Sequence, residues 1–263
     1  MKRKYFIVSD VHGFYDELIR GLEVAGFSPS NPNHIFVSLG DLFDRGDKSY
    51  ECLQFVNNLP EERKILICGN HEFCLQEAII RRRFERHDIH NCTDKTCKEF
   101  YSKVNVDADM NEIEDREILD WLRNWEDLKT YGNSLKPYAI IKDNLFVHGW
   151  VPYGYNSLTD LKRTSLSDWY DAVWVDGVLY TMRWGAKIKT SNRKDARPVI
   201  VFCGHVHSCF HNYKYHNRGE ICKLPNGELD VEKLDCSPFI DEGIVNLDSY
   251  TRATKLVNVF VLS

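Results

Sequence analysis

The chain has 263 residues, a hydrophobic fraction of 43%, a charged fraction of 28% and a formal net charge of −5. This composition is ordinary for a folded protein and argues against a disordered chain. The net acidity gives no general basis for binding nucleic acid, and no apolar run is long enough to cross a bilayer. We therefore expect neither a nucleic-acid partner nor a membrane partner.

The N-terminal sequence and the cysteines indicate in which cellular compartment the protein is expected. The apolar run that follows the basic N-terminus, residues 5–8, is too short for a secretory signal. The nine cysteines are odd in number, and Cys68 and Cys203 fall in strands that we predict to be buried. Free thiols are therefore favoured over a disulfide framework, and we expect a cytoplasmic protein.

The first part of the chain alternates between strand and helix patterns. Apolar runs predict strands at 5–8, 34–39 and 64–68, and helical periodicity predicts helices at 15–25 and 49–59. This alternation is typical of a parallel or mixed sheet with helices on its faces.

The rest of the chain begins with a highly charged segment, 73–131, which has helical periodicity and is interpreted as a helical cap inserted into one domain spanning 1–263. A hairpin is predicted from 138–141 and 145–147, and another buried strand at 198–202. The tail has two candidate strands, 243–247 and 256–262, and we expect both to join a second sheet.

Polar side chains recur where the predicted strands end. In open α/β sheets, ligands bind at the carboxyl ends of the strands, so these side chains are expected to converge. They are Asp10, His12, Asp41, Asn70, His148, His205 and His207.

These side chains offer carboxylate, imidazole and carboxamide ligands, and no thiolate. The mixture suits Mn²⁺, Fe²⁺ or Zn²⁺, and two such ions need a bridging carboxylate, for which Asp41 is the natural choice. For any one of these residues alone, a structural role as a turn former, a helix cap or a hydrogen-bonded side chain is the simpler explanation than a role as a metal ligand. The ordered set predicts a two-metal site.

The motifs that carry these residues resemble those of the calcineurin-like metallophosphoesterase superfamily. Two of them resemble the phosphoprotein phosphatase branch, with its small bacterial and bacteriophage-type serine/threonine phosphatases. The resemblance implies a four-layer α/β/β/α sandwich with a helical insertion. The motifs are Asp10-x-His12, Gly40-Asp41-x-x-Asp44-Arg45-Gly46, Gly69-Asn70-His71-Glu72, His148-Gly149 and Gly204-His205-x-His207.

The resemblance also implies the metal ligands. Asp10, His12 and Asp41 would hold the first ion. The second would be held by Asp41, Asn70, His148 and His205. His207 departs from the protein phosphatase pattern and is carried over as a ligand from the broader superfamily. The implied cofactor is two divalent ions, with Mn²⁺ as the first choice and iron or zinc as alternatives.

A direct displacement follows from the same resemblance, in which hydroxide bridging the two metals attacks phosphorus. His71 would protonate the leaving oxygen, and Asp44 would orient His71. Arg45 and Asn70 would bind the substrate phosphate, as would a second arginine, for which Arg183 fits best and Arg163 is the rival. Asp44 and Arg45 could instead form only a salt bridge at the turn.

Three functions stay open. The first is hydrolysis of phosphomonoesters, as by a serine/threonine protein phosphatase, and the second is hydrolysis of dinucleoside tetraphosphates such as diadenosine tetraphosphate. The expected partner is accordingly a phosphorylated protein or a small phosphorylated substrate. The third is a non-catalytic scaffold, which the complete ligand set disfavours. Trp169, Tyr170 and Trp174 could stack on a base, although a place in the core is the simpler expectation.

Overall fold

The computed structural model describes residues 2–263 and has two mixed sheets with helices on their outer faces. The first part of the chain forms β1 (Lys4–Val8), α1 (Tyr15–Val24), β2 (His34–Ser38), α2 (Ser49–Asn58) and β3 (Lys64–Ile67). Five helices follow: α3 (Asn70–Arg81), α4 (Arg86–Asn91), α5 (Thr93–Val104), α6 (Asp115–Leu122) and α7 (Glu126–Ser134).

The second part of the chain begins with three short strands and is mostly loops and short helices. Its elements are β4 (Leu135–Lys136), β5 (Ala139–Ile141), β6 (Asn144–Phe146), α8 (Leu158–Leu161), α9 (Gly177–Trp184), β7 (Val201–Cys203), α10 (Ser208–His216), β8 (Phe239–Asp241), β9 (Ile244–Asn246), α11 (Thr251–Thr254) and β10 (Phe260–Leu262). Within residues 2–263, no helix is both long and apolar enough to cross a membrane.

The first sheet has the strand order β10-β1-β2-β3-β4, and the second has the order β5-β6-β7-β9-β8. In the first sheet β1 to β4 are parallel, and in the second β6, β7 and β9 are parallel. The predicted hairpin is confirmed, since β5 pairs antiparallel with β6. Parallel order places the carboxyl ends of these strands at one edge of each sheet.

Side chains along each strand alternate between two cores, as a period of two residues requires. Phe6 and Val8 of β1 face a core shared with the helices on the outer face, whereas Ile7 faces the second sheet. In the same way Phe202 of β7 lies between the sheets, and Val201 packs against the outer helices. The three cores separate four layers, which confirms the α/β/β/α sandwich.

The helical insertion packs into the core of the first sheet. Phe100 of α5, Leu119 of α6 and Tyr131 of α7 lie in the same apolar cluster as Phe6 and Leu18. The α3 helix begins at Asn70, so the polar motif Asn70-His71-Glu72 forms the first turn of a helix.

The last strand joins a different sheet from the one expected. β10 pairs antiparallel with β1 in the first sheet, with Phe260 opposite Ile7, so the prediction that the whole tail adds to the second sheet is wrong. Phe260 and Leu262 pack partly buried against the core between the sheets. The apolar pattern predicted a strand correctly, but it carries no information on which sheet edge is free.

Candidate functional site

The candidate metal ligands lie just after the carboxyl ends of β1, β2, β3, β6 and β7, in loops or, for Asn70, at the start of α3. Backbone hydrogen bonds tie the first two loops together: the Asp10 amide donates to the Gly40 carbonyl (3.2 Å), and the His12 amide to the Asp41 carbonyl (2.9 Å). The Gly204 amide donates to the His148 carbonyl (2.8 Å) and so joins the loops of the second sheet.

Four side chains converge where the two sheets meet. Nε2 of His148 and Nδ1 of His205 each lie 2.9 Å from the Asn70 Oδ1 atom. Nε2 of His148 also lies 3.4 Å from Oδ1 of Asp41. Ligand atoms of Asp41, His148 and His205 thus fall within 4.8 Å of one another, close enough to share one ion.

A second convergence shares Asp41. Nε2 of His12 lies 3.8 Å from Asp41 Oδ2 and 4.0 Å from Asp10 Oδ1. The His12 Nδ1–H donates to the Phe43 carbonyl (3.0 Å), which leaves the Nε2 lone pair directed at the carboxylates. Asp41 lies between the two groups, as a bridging carboxylate must.

The backbone is unusual at these positions. Several non-glycine residues lie in the left-handed region, which costs energy and is concentrated at functional sites in proteins. They are Asp10, His12, Asp41, Asp44, Arg45 and His205. Gly40 has a φ of +100°, and a Cβ there would meet the Gly69 backbone at 2.7 Å and His148 Nδ1 at 2.8 Å, so only glycine fits.

His207 lies beside this site and is held by Asp248. Its Nδ1–H donates to Asp248 Oδ2 (2.9 Å), and its ring stacks on Tyr250 at 4.0 Å. Burial opposes a charge on His207, but the Asp248 carboxylate outweighs it and raises the pKa of the ring. This bond occupies Nδ1, and the role of His207 as a metal ligand stays a prediction.

His71 and Asp44 form a buried pair beside the metal-ligand cluster. The His71 Nδ1–H donates to Asp44 Oδ2 (2.6 Å), and Nε2 lies 3.8 Å from Asp41 Oδ2. Two threonines of α5 complete the surroundings of Asp44, since Thr93 donates to Oδ2 and Thr96 to Oδ1, both at 2.7 Å. The Asp44 carboxylate is thereby fixed by three donors.

Glu72 fixes the loops of the first sheet. Its carboxylate accepts hydrogen bonds from the amides of Asp41, Leu42 and Gly69 at 2.8–2.9 Å. The Tyr131 hydroxyl of α7 donates to it as well (3.0 Å). A buried carboxylate with four donors is satisfied, and it holds the Asp41 loop against the start of α3.

The electrostatics of the metal-ligand cluster fit divalent cations. Burial, with the Asp248 charge, raises the pKa of Asp10 to about 6, and burial raises the pKa of Asp41 well above its usual range. Burial also lowers the pKa of His12 and brings that of His205 to about 3, so both rings are neutral. The negative charge on each buried carboxylate is unfavourable unless a cation lies beside it. Together with neutral imidazoles, these carboxylates form a donor set suited to Mn²⁺, iron or Zn²⁺.

The predicted second arginine lies at the surface. The Arg183 guanidinium is exposed and lies over the Trp184 ring, 5.7 Å from its centroid. Within residues 2–263, neither Arg183 nor Arg163 has a side-chain hydrogen bond or ion pair with the other candidate residues. The structure therefore does not bring either arginine into the cluster, and its predicted role stays a prediction.

The three aromatic residues of the 166–174 segment have different surroundings. Trp169 is buried, stacks on Tyr138 and donates from Nε1 to Thr164 Oγ1 (2.9 Å), so it is a core residue. Trp174 is 45% exposed, and its ring stands edge to face with His205, 6.0 Å between centroids. Tyr170 is also partly exposed and donates to Glu77 of α3 (2.8 Å).

Several residues of this site were missed from the sequence. Asp248 follows the end of the parallel strand β9, so the rule that found the other carboxylates could have found it. Thr93 and Thr96 lie on a helix of the insertion, about 50 residues from Asp44, and no local signal indicates them.

The sequence is similar to known phosphoesterases. Residues 3–209 match the family described as calcineurin-like phosphoesterase. Two curated relatives are named symmetrical bis(5′-nucleosyl)-tetraphosphatases. The one from Pasteurella multocida is 34% identical over 119 residues, which cover 45% of this chain and 37% of that protein. The one from Psychromonas ingrahamii is 37% identical over 119 residues, 45% of this chain and 36% of the relative. The alignments thus span little more than a third of each relative.

Solved structures show the same fold at low identity. A cold-active protein-tyrosine phosphatase of a psychrophilic Shewanella has a TM-score of 0.51 at 16% identity, covering 100% of this chain and 76% of that one. A protein serine/threonine phosphatase from Saccharomyces cerevisiae has a TM-score of 0.50 at 16% identity, covering 94% and 67%. Because the family match extends over most of the chain, the protein belongs to the calcineurin-like phosphoesterases, a family of metal-dependent phosphoric ester hydrolases.

Proposed function

We propose that the protein hydrolyses bis(5′-nucleosyl) tetraphosphates symmetrically, giving two nucleoside diphosphates. The names of the curated relatives carry this proposal. They support the dinucleotide alternative over the phosphomonoesterase that the motifs placed first. In the reaction the oxygen of a water molecule forms a bond to one of the two central phosphorus atoms. The P–O bond from that phosphorus to the bridging oxygen breaks, and the bridging oxygen leaves with the second nucleoside diphosphate. A proton delivered to this leaving oxygen would neutralise the charge that develops on it.

We propose that Asp10, His12, Asp41 and His207 hold one divalent ion and that a second is held at Asp41, Asn70, His148 and His205. Two ions bound there would lower the pKa of the attacking water and neutralise phosphoryl oxygens. Mn²⁺ remains the first choice, with iron and zinc as alternatives, since the ligand set accepts all three.

His71 is proposed to protonate the leaving oxygen. Burial opposes a charge on this ring, but the Asp41 and Asp44 carboxylates outweigh it and raise its pKa, so that a proton is available near neutral pH. The bond from Nδ1–H to Asp44 directs Nε2, the proton-donating atom, away from α5 and toward the cluster.

Arg45 and Asn70 are proposed to bind phosphoryl oxygens of the substrate. The Nη2 atom of Arg45 lies 3.1 Å from Nε2 of His71. A protonated His71 and the guanidinium both have only N–H donors, so they cannot share that contact once the ring is charged. We infer that Arg45 turns from His71 to the substrate phosphate as the substrate binds, which frees Nε2 for the proton transfer.

Trp174 is proposed to stack on a nucleobase. It is the aromatic side chain of the 166–174 segment that is both exposed and in contact with a proposed ligand, His205. A base at this face would place the attached phosphate chain near the second ion site. Stacking on tryptophan tolerates any base, which suits a dinucleotide substrate.

Product analysis tests this function. The Mn²⁺-loaded protein would be incubated with diadenosine tetraphosphate, and the nucleotides would be separated at early time points. We expect ADP as the sole first product, whereas equal amounts of ATP and AMP would contradict symmetric cleavage. The second candidate is phosphomonoester hydrolysis, which the Asp44–Arg45 and His71–Glu72 motifs favour, and a phosphoserine peptide serves as its substrate.

A further inference from the structure

A cleft beside Arg45 carries cations that the site described so far does not use. It is open, measures about 530 Å³, and is lined by Phe14, Arg45, Asp47, Lys48, Arg252 and Lys255, among others. Arg45 belongs to both places, because its guanidinium reaches His71. Arg45 therefore borders both the cleft and the proposed proton donor His71.

Three cationic side chains of the cleft besides Arg45 differ in their partners. Lys48 is neutralised by Asp16 at 2.5 Å. Within residues 2–263, neither Arg252 nor Lys255 forms an ion pair with an acidic side chain. The Lys255 ammonium lies over the Phe14 ring, 4.2 Å from its centroid, and Arg252 is exposed. Asp16, Glu17 and Asp47 also line the cleft, and Asp16 is the carboxylate that pairs with Lys48.

The helix that carries Arg252 is fixed to the proposed metal site. Thr251, at the start of α11, donates from Oγ1 to the Asp10 carbonyl (3.0 Å). The residues on either side of the helix, Tyr250 and Lys255, both have left-handed backbones. Ser249 donates to the Leu256 carbonyl (2.7 Å) and closes this turn. These bonds fix the backbone that carries Arg252 and Lys255 relative to Asp10.

We propose that Arg252 and Lys255 bind the phosphate groups that flank the reacting one in an oligophosphate substrate. This inference rests on the proposed function and deepens it. A phosphomonoester has no flanking phosphates and would not reach these cations, whereas a tetraphosphate chain held at Arg45 continues into the cleft.

Inorganic tripolyphosphate is the probe, used as an inhibitor of p-nitrophenyl phosphate hydrolysis by the Mn²⁺-loaded protein at fixed free Mn²⁺. The test variant is Arg252→Gln with Lys255→Gln. The control is Lys2→Gln with Arg3→Gln, which removes the same charges at the amino end of β1, opposite the site. Neither pair is expected to change the turnover of the monoester by more than about twofold.

We expect the inhibition constant of tripolyphosphate to rise about tenfold or more in the test variant and to stay unchanged in the control, because charge-assisted hydrogen bonds to phosphate are lost. An equal rise in both variants, or no rise in the test variant, would overturn the proposal. The tripolyphosphate assay uses no dinucleotide, so it tests phosphate binding in the cleft alone. The products formed from diadenosine tetraphosphate test the proposed function separately.

Discussion

Among single residues, substitution of His71 has the clearest expected effect on catalysis. His71→Asn removes the proposed proton donor while keeping a hydrogen bond to Asp44. General acid catalysis contributes about 10²–10⁴-fold, so we expect kcat for phenyl phosphate to fall by that factor. The loss should be smaller for p-nitrophenyl phosphate, whose leaving group needs less protonation.

His90→Asn provides the control for this variant, because His90 is exposed on α4 and contacts none of the proposed ligands. If both phenyl esters lost activity by the same factor in the His71 variant, the role of proton donor would be wrong and a purely structural role would replace it.

Trp174 tests the proposed base site. Stacking of a base on an aromatic ring contributes about 1–3 kcal/mol, so Trp174→Ala should raise KM for diadenosine tetraphosphate about tenfold or more. KM for p-nitrophenyl phosphate should change little. Trp184→Ala is the matched control, since Trp184 is 56% exposed on α9. Equal effects of the two variants on the dinucleotide would contradict the assignment.

The residues show what a single sequence can and cannot predict. Asp10, His12 and Asp41 were predicted because parallel strands end at one edge of a sheet, and the structure brings them together with His148 and His205. The Arg252 side chain and the threonines around Asp44 could not be predicted in this way. They approach the site from helices, through contacts between segments far apart in the chain.

At the scale of elements, α5 links the insertion to the chemistry. The side chains of Thr93 and Thr96, both on α5, each donate one hydrogen bond to the Asp44 carboxylate. Replacing both with valine leaves a buried carboxylate short of donors, which we expect to lower the free energy of unfolding by about 1–3 kcal/mol for each. We also expect kcat to fall without a rise in KM, because Asp44 would orient His71 less well.

Ser102→Ala on the same helix is the control for the threonine variant, since Ser102 Oγ donates only to the Glu99 carbonyl (3.0 Å). A double valine variant that lost stability but kept full kcat would show that α5 supports the fold and not the proton donor. Thermal unfolding and steady-state kinetics on the same preparations distinguish these results.

The elements also show where periodicity is informative. Continuous apolar runs predicted β1 and β2, and the turn signal between two such runs predicted the β5–β6 hairpin, because strands covered on both faces carry apolar side chains throughout. The pairing partner of β10 depends on which edge remains open after the whole chain has folded, and no pattern within 256–262 contains that information. The start of α3 at Asn70 was missed because the polar motif obscures the apolar periodicity that begins after it.

At the scale of the whole molecule, the metal should stabilise the fold. The two buried carboxylates Asp10 and Asp41 are unfavourable without cations, and an ion at 100 times its dissociation constant adds about 2.7 kcal/mol. We expect Mn²⁺ to raise the Tm of the chelator-treated protein by about 5–10 °C. An unchanged Tm with saturating Mn²⁺ would argue against a metal site at these residues.

The same stabilisation should depend on pH. Burial raises the pKa of Asp10 to about 6, so in the metal-free protein this group is protonated below that pH and charged above it. Protons therefore compete with the ion as pH falls through about 6, and the Tm increase caused by Mn²⁺ should shrink in that range. Thermal scans at pH 5 and pH 7.5, with and without Mn²⁺, measure the difference.

We further propose that residues 1–263 form a single domain, because the insertion shares one apolar core with β1 and α1. Under this proposal the metal-dependent stabilisation is transmitted to α5 and α7 through Asp44 and Glu72. Hydrogen exchange should then show added protection in both helices when Mn²⁺ binds, whereas protection limited to the strand-end loops would oppose it.

The proposed function requires that the site acts on a dinucleoside tetraphosphate. The most direct measurement strips the protein with chelator, restores Mn²⁺, and compares kcat/KM for diadenosine tetraphosphate with that for a phosphoserine peptide. We expect the dinucleotide to be preferred by orders of magnitude, with ADP as the product. A preference of that size for the peptide would contradict the proposed function and identify the protein as a protein phosphatase.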